Sequence, residues 1–248
     1  MPIYRDARLK VKRANEHIAN VNAAIHALKN SCIATVEQRP DGGQSLKHEL
    51  PNFRNALDDL SLIVGDALHN LHTALDFAWY SAMQRCLPDK VSASTKFPVR
   101  ETQQGLEAAL HGIEVDARCK ALFDCVVSKI QPYKGGDNGV IWALHDLDIS
   151  DKHILLLELG PRGHITGMAV RDESGELHTG STYPADGVEG RYIVDFQSGL
   201  KIEDKGKLSF TVTLQEAGMF KHLSVSDLLS SFGNFTIQTV NLLENLTC

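Results

Sequence analysis

The chain has 248 residues, of which 43% are hydrophobic and 23% are charged; this balance is typical of a globular protein and excludes a disordered or fibrous chain. The net charge of −6, with a pI near 6.0, argues against binding of nucleic acid or membrane by the whole surface. The first ten residues contain no apolar signal core, and no apolar run is long enough to span a bilayer. We therefore expect a single-domain, cytoplasmic α+β protein with no membrane partner.

The chain contains five cysteines and no Cys-x-x-Cys pair. An odd number without that spacing favours free thiols over a disulfide framework or a zinc knuckle. Three of the five fall in helical apolar patterns, where a thiol behaves as a small hydrophobic side chain: Cys86, Cys119 and Cys125. We expect a reduced protein.

Two long helical patterns, separated by a hairpin pattern, occupy the first third of the chain. From Tyr4 to about Asn30, apolar residues recur mostly every three or four positions with no Gly or Pro between them, which predicts a long amphipathic helix. β-prone residues on either side of Asp41-Gly42-Gly43 predict a hairpin over residues 31–50. From Phe53 to Cys86 a wide apolar face without proline predicts a second long helix.

Shorter helical patterns follow. Helices are predicted at about 102–111 and 115–130, the second ending before Pro132. A glycine-rich breaker comes next, and a short helix then runs from Val140 to about Asp148. The helical part of the domain is expected to cover residues 1–152, including the hairpin.

The remainder of the chain changes to strand patterns and then returns to a helix. Four β-prone runs, separated by Gly, Pro, Asp and Ser, predict an antiparallel sheet over residues 154–216. A final amphipathic helix is predicted over 224–246. The expected fold class is therefore α+β, with a bundle of long helices, an antiparallel β-sheet region and a C-terminal helix.

The second long helix carries a polar segment from Gly65 to Phe77. At 100° per residue, five polar side chains of this helix fall within one stripe about 80° wide, with His72 at its edge. The five are Asp66, His69, Thr73, Asp76 and Tyr80. Residues three and four apart on a helix are neighbours, so imidazoles and carboxylates can pair here, as acid–base catalysis or metal binding requires. The alternative is a solvent-facing stripe, or a buried network that only fixes packing.

A second polar segment runs from Ile141 to His153, where the helices give way to the predicted sheet. His145 and Asp148 lie one helical turn apart, and the run Asp151-Lys152-His153 places an acid, a cation and a titratable ring in consecutive positions. Functional sites are common at the ends of elements. A helix C-terminus also favours Lys and His through its dipole, so capping is the alternative interpretation.

A metal site could be assembled from facing helices. Its candidate ligands are His69, His72, Asp76, His145 and His153. The sequence lacks the His-Glu-x-x-His and paired Glu-x-x-His patterns that would make such a site specific. It also lacks a Gly-x-Ser-x-Gly elbow, a phosphate-binding Gly-rich loop and a dinucleotide fingerprint. We therefore expect no cofactor, and no ATPase, esterase or dehydrogenase activity.

The two polar segments resemble an uncharacterised bacterial family with a helix reading approximately Gly-Asp-x-x-His-Asn-Leu-Arg-x-Ala-Leu-Asp-His and a later Asp-Lys-His-Arg. The matching stretches are Gly65 to Phe77 and Trp142 to His153. The Arg-to-His spacing of that family resembles the motif of HEPN helical domains, many of which are metal-independent ribonucleases. In such a site, His and Arg would transfer protons and stabilise the phosphate during attack by a ribose hydroxyl. This sequence has His72 in place of the Arg and Phe77 in place of the His.

Three hypotheses for the function result. The first is an HEPN-like protein that processes or binds RNA or a nucleotide. The residues expected to carry this function are His69, His72, Asp76, Asp151, Lys152 and His153. The second is a non-enzymatic interaction protein, built as a homodimer on its long helices, in which the polar stripe fixes packing. The third is a metal-dependent hydrolase that uses the same His and Asp residues.

Overall fold

The structure is a computed structural model that describes residues 4–136, 139–153, 159–185, 187–188, 190–214 and 223–247. The chain divides into two compact units. Unit 1 comprises Met1–Asn20, Leu62–Leu157 and Asp227–Cys248, and unit 2 comprises Val21–Ser61 and Glu158–Ser226. Each unit is assembled from segments that are far apart in the sequence.

Two long helices, α1 (Arg5–Asn30) and α2 (Phe53–Cys86), have the bounds that their apolar periodicity predicts. Each buries one face, because its apolar side chains return every three or four residues. In α1 the buried side chains include Val11, Ala14, Ile18 and Val21, and in the unit 1 part of α2 they include Leu68, Leu71, Leu75 and Trp79. The core of unit 1 therefore includes the apolar face of α2.

Shorter helices connect α2 to the second polar segment. A 3-10 turn at Pro88–Lys90 is followed by α3 (Gln103–Gly112), α4 (Val115–Arg118), α5 (Lys120–Cys125), a π-helical turn (Val126–Ile130) and α6 (Val140–His153). The predicted continuous helix over 115–130 is thus divided. The division occurs because Cys119 has φ −145° and ψ 66°, outside the helical region. α6 extends about one turn beyond the predicted end at Asp148.

The C-terminal helix α7 (Val225–Thr247) completes unit 1, and its presence confirms the predicted final helix. Its most deeply buried apolar side chains are Phe232, Val240 and Leu243. Tyr4 and Thr247 share a hydrogen bond between their hydroxyl groups at 2.7 Å, and Arg8 donates to Asn241 Oδ1 at 2.9 Å. The first and last helical segments of the chain therefore pack together within one unit.

Unit 2 contains two antiparallel sheets. The strands are β1 (Ile33–Gln38), β2 (Gln44–Glu49), β3 (Leu159–Arg171), β4 (Leu177–Ala185), β5 (Gly187–Val188), β6 (Arg191–Phe196) and β7 (Lys201–Leu214). One sheet has the order β1-β2-β6-β5 and the other the order β4-β3-β7. The α+β fold class with an antiparallel sheet region is confirmed.

The hairpin of β1 and β2 belongs to this β-rich unit rather than to the helical part of the chain. Its turn places Gly42 at φ +84°, and Asp41 Oδ1 accepts a hydrogen bond from the Gly43 N–H at 3.0 Å. β2 also pairs with β6, where His48 lies opposite Tyr192. Periodicity detects the hairpin but not this pairing, because strands so distant in sequence leave no local signal.

Within the part of the chain that the structure describes, no helix is both long and apolar enough to cross a membrane.

Candidate functional site

Two helices of unit 1, α2 and α6, bring the two polar segments together. The contacting pairs are Gly65 with Asp151, His69 with Asp148, and His72 with His145. From one pair to the next, the residue numbers increase along α2 and decrease along α6, so the two helices run antiparallel at this point. We call His69, His72, His145 and Asp148 the histidine cluster.

Asp148 is the centre of the histidine cluster. Its side chain is only 2% exposed, and its two carboxylate oxygens contact two different imidazoles. Oδ2 lies 3.0 Å from His72 Nδ1, and Oδ1 lies 3.4 Å from His69 Nδ1. A buried carboxylate needs such donors, because loss of hydration disfavours its charged form. The helix pair thus holds one buried carboxylate between two rings from α2.

A hydrogen bond extends the cluster from His72 to His145. His72 Nε2 and His145 Nδ1 are 2.9 Å apart, and the ring centroids are 5.0 Å apart. If neutral His72 keeps its proton on Nδ1, facing an ionised Asp148, its lone pair is on Nε2, where it accepts from His145 Nδ1–H. His145 Nε2 then carries the free lone pair. Asp148, His72 and His145 are therefore connected as a proton relay.

The environment of His145 favours its neutral form. Burial lowers the pKa of His145 below the ordinary value, and the nearby His72 ring lowers it further. The carboxylates of Asp148, Asp76 and Asp146 act in the opposite direction but do not reverse the shift. A neutral imidazole at neutral pH is the form that accepts a proton in general base catalysis.

Solvent reaches the cluster at His69. The His69 side chain is 47% exposed, whereas that of His72 is 13% exposed. His69 directs Nδ1 to Asp148, which leaves Nε2 on the other side of the ring. The cluster therefore combines a buried carboxylate, a nearly buried ring and an accessible ring.

Asp76, one turn beyond His72 on α2, is engaged with a different segment. Its Oδ1 accepts the Phe97 backbone N–H at 2.9 Å, and its Oδ2 contacts Lys96 Nζ at 3.0 Å. The Asp76 side chain is almost fully buried. It therefore anchors the chain at 96–97 to α2 beside the cluster.

Asp151 packs directly over Gly65, one turn before His69 on α2. A Cβ atom at position 65 would overlap the Asp151 carboxylate group. The glycine in the Gly-Asp-x-x-His segment is therefore required by the close approach of α6 rather than by an unusual backbone angle. Lys152 and His153 end α6, and their side chains lie outside the described ones.

Two lysines lie near the ends of the polar stripe. Lys10 Nζ donates to Asn70 Oδ1 at 3.2 Å, and Asn70 Nδ2 donates to the Asp66 carbonyl at 2.8 Å. At the other end, the exposed Lys96 contacts Asp76. The stripe is thus flanked by two cations, which can contact an anionic ligand.

Two members of the histidine cluster, His145 and Asp148, are missing from the residues expected to process or bind RNA or a nucleotide, although His145 was a candidate metal ligand. Both belong to the second polar segment, but their burial against α2 has no signature in local sequence. The available signal was their spacing of three residues on a helix whose neighbouring positions, Leu144 and Leu147, are apolar.

The cluster does not have the geometry of a metal centre. His72 directs Nδ1 to Asp148 and Nε2 to His145, so both of its nitrogens face other members of the cluster. Among the described residues, the His, Cys, Asp and Glu side chains whose ligand atoms converge within 4.8 Å are those of Asp172, Glu176 and His178. That exposed group lies at the turn between β3 and β4 in unit 2.

Comparisons with family models, curated proteins and solved structures find no match to the chain.

Proposed function

We propose that the protein is an HEPN-like, metal-independent ribonuclease of the cytoplasm that uses the histidine cluster as its acid–base machinery. The observation that carries the proposal is the relay from buried Asp148 through His72 to His145, with the half-exposed His69 beside it. Cleavage of RNA by its own 2′-hydroxyl needs a base and an acid but no cofactor. Two imidazoles in different environments meet this requirement.

His145 takes the role of the base. In its neutral form, Nε2 removes the proton of the ribose 2′-hydroxyl, and the 2′-oxygen attacks the neighbouring phosphorus. Neutral His72 accepts the Nδ1–H hydrogen bond of His145 at 2.9 Å, and the Asp148 carboxylate, 3.0 Å from His72 Nδ1, favours the imidazolium that forms. The relay thus raises the basicity of His145 during the reaction, when positive charge develops on its ring.

His69 takes the role of the acid. Protonated His69 gives its Nε2 proton to the departing 5′-oxygen while Asp148 stays in contact with Nδ1. The products are a 2′,3′-cyclic phosphate and a free 5′-hydroxyl. Lys10 and Lys96, which contact Asn70 and Asp76, supply positive charge for the phosphates of the substrate. This assignment does not require the Arg and His that HEPN domains have at the positions of His72 and Phe77.

Substitution of His145 tests this function. A 5′-labelled single-stranded RNA of mixed sequence is incubated with wild-type protein, His145→Gln and Asp148→Asn in the presence of EDTA. We expect cleavage by the wild type and a loss of about 10²–10⁴-fold in both variants. The matched control is His111→Gln, since His111 forms a separate pair with Asp116 at 2.8 Å in the same unit. Equal cleavage by His145→Gln and His111→Gln would refute the proposal, and so would cleavage that EDTA abolishes.

A second candidate is the non-enzymatic homodimer, which exposed apolar side chains on α2 favour. Leu62, Phe77 and Tyr80 all remain exposed on this helix, and Tyr80 belongs to the stripe that contains His69. In that case the histidine cluster would specify the packing of α2 and α6 without turnover. Sedimentation equilibrium of the wild type and Phe77→Asp tests it. A dimer that becomes a monomer on substitution supports this candidate, whereas a wild-type monomer excludes it.

The third hypothesis, a metal-dependent hydrolase, receives the least support. A metal bound by His72 would have to displace its contact with Asp148 or its hydrogen bond with His145. The EDTA arm of the cleavage assay separates this chemistry from the acid–base mechanism.

A further inference from the structure

Two thiols of unit 1 lie closer together than ordinary packing requires. Cys86 is the last residue of α2, and Cys119 lies between α4 and α5, 33 positions later in the chain. The Cys119 thiol donates to Cys86 Sγ across 2.7 Å. A disulfide bond is about 2.05 Å long, so a displacement of less than about 1 Å separates these thiols from bonding distance.

Ion pairs hold the two chain segments in this position. Arg118, which precedes Cys119, makes two parallel hydrogen bonds of 2.7 Å to the carboxylate of Asp89. Lys90 contacts Glu114 at 3.1 Å. Bidentate arginine–carboxylate pairs fix orientation as well as distance. These ion pairs join residues 89–90, which follow Cys86, to residues 114–118, which precede Cys119. They therefore keep the two thiols close together.

Both thiols are also accessible to a small reagent. Cys86 and Cys119 are each partly exposed, whereas Cys125 on the neighbouring α5 is buried. A soluble oxidant can therefore reach one member of the pair. The buried Cys125 supplies a matched thiol in the same part of the fold.

We propose that Cys86 and Cys119 form a reversible disulfide. In the first step, one of the two thiolates attacks a low-molecular-weight disulfide, forms a mixed disulfide and releases one thiolate of the reagent. The second cysteine thiolate then attacks the protein sulfur of the mixed disulfide and releases the other half of the reagent. Overall, two protein thiols are oxidised, the reagent disulfide is reduced to two thiols, and two protons pass to the released thiolates. A dithiol reductant reverses both steps.

The surroundings of Cys86 set the rate of this reaction. Burial, with the neighbouring Cys119 thiol as a second cause, raises the pKa of Cys86 to about 12. Only the thiolate is nucleophilic, so Cys86 reacts slowly at neutral pH and faster as the pH rises. Formation of the disulfide should therefore be faster at higher pH.

The disulfide would restrain the segment that Asp76 anchors to α2. Residues 87–118 lie inside the loop that the bond closes, and they include Lys96 and Phe97, which contact Asp76 beside the histidine cluster. Closing a loop of this length removes many conformations from the unfolded chain. We expect oxidation to raise the melting temperature by roughly 5–10 °C.

The test is oxidation of the full-length protein with excess oxidised glutathione at pH 7 and pH 9, followed by alkylation and peptide mapping without reductant. We expect one peptide pair linked through Cys86 and Cys119, with Cys125 alkylated only after denaturation. The linked form should accumulate faster at pH 9, and dithiothreitol should restore both thiols. Cys125→Ser should behave as the wild type, and Cys86→Ser should form no internal link.

Three outcomes would overturn the proposal. They are persistence of both Cys86 and Cys119 as free thiols after prolonged treatment, stable glutathione adducts in place of the internal bond, and a link between any other pair. Because wild-type mapping alone decides between these outcomes and the expected one, the result does not depend on folding of the variants.

Discussion

Asp148 is a carboxylate that water hardly reaches, and its two contacts with imidazoles explain how the fold tolerates it. Transfer of a charged group from water to the interior is costly unless hydrogen bonds replace those lost. His72 and His69 supply such donors from α2. The same contacts that allow burial of the carboxylate also set the orientation of the rings, so stability and chemistry depend on the same atoms.

Replacement of Asp148 with Asn should therefore reduce the stability of the fold. The variant keeps the size of the side chain but loses the anionic acceptor for two rings, and we expect the free energy of unfolding to fall by about 1–3 kcal/mol. Urea denaturation measures this change. Asp116→Asn removes the partner of the exposed His111 and should leave the unfolding midpoint unchanged. Equal effects of the two substitutions would show that burial of Asp148 is unimportant.

The pKa values of His145 and His178 should lie on opposite sides of the ordinary value for histidine. Burial lowers the pKa of His145, whereas a hydrogen bond to Asp172 raises the pKa of the exposed His178. Titration of the histidine ring signals by NMR measures both values in one sample. If His145 titrates at or above the ordinary value, its assignment as the neutral base is wrong.

The lowered pKa of His145 also has a consequence for stability. The unfolded state binds a proton near pH 6.5, whereas the folded state binds it only at lower pH. The contribution of neutral His145 to the free energy of unfolding is therefore fully present above about pH 6.5 and is lost as the pH falls toward the lowered pKa. His145→Gln should weaken this acid dependence of the unfolding midpoint, and an unchanged dependence would contradict the assignment.

The antiparallel packing of α2 on α6 depends on a glycine at position 65. Alanine is the better helix former by roughly 0.5–1 kcal/mol, but its Cβ would overlap Asp151. We expect Gly65→Ala to lower the free energy of unfolding by about 1–3 kcal/mol, because α6 must move. At Gly112 in α3 an added Cβ would meet no atom within 4 Å, so Gly112→Ala should be neutral or stabilising. Thermal denaturation compares the two, and a stabilising Gly65→Ala would disprove the close approach.

The elements that local periodicity specifies could be predicted from the sequence. α1, α2 and α7 each carry an uninterrupted apolar face, and their bounds follow from it. The break at Cys119 was not predicted, because nothing in the side chains around it marks the change of backbone angles. Local sequence patterns also could not predict the pairing of β2 with β6.

The candidate site was predicted in part for the same reason. Helical spacing placed His69 and His72 on or beside one stripe of α2, and these rings do meet the second polar segment. Spacing could not show that Asp76 holds Lys96 and Phe97 instead of a histidine, since that contact depends on how a loop returns to the helix. Nor could it identify Asp148 as the buried carboxylate.

Over the whole molecule, each compact unit is built from segments that are not contiguous in the chain. Unit 1 needs α7 for its core, because Phe232 and Val240 are fully buried there. A chain ending at residue 226 should therefore lose cooperative thermal unfolding, as followed by circular dichroism. A truncated chain that unfolds in one sharp transition at the wild-type temperature would show that α7 is dispensable.

The most direct test of the central claim is cleavage of a DNA oligonucleotide that contains a single ribonucleotide, in EDTA. The proposed mechanism uses the 2′-hydroxyl as nucleophile and neutral His145 as base, so cleavage should occur only after the ribonucleotide and leave a 2′,3′-cyclic phosphate. A matched oligonucleotide with a 2′-O-methyl group at that position should remain intact. Cleavage of the methylated oligonucleotide, or failure to cleave the first one under conditions in which the protein is folded, would contradict the account of the histidine cluster as an acid–base site.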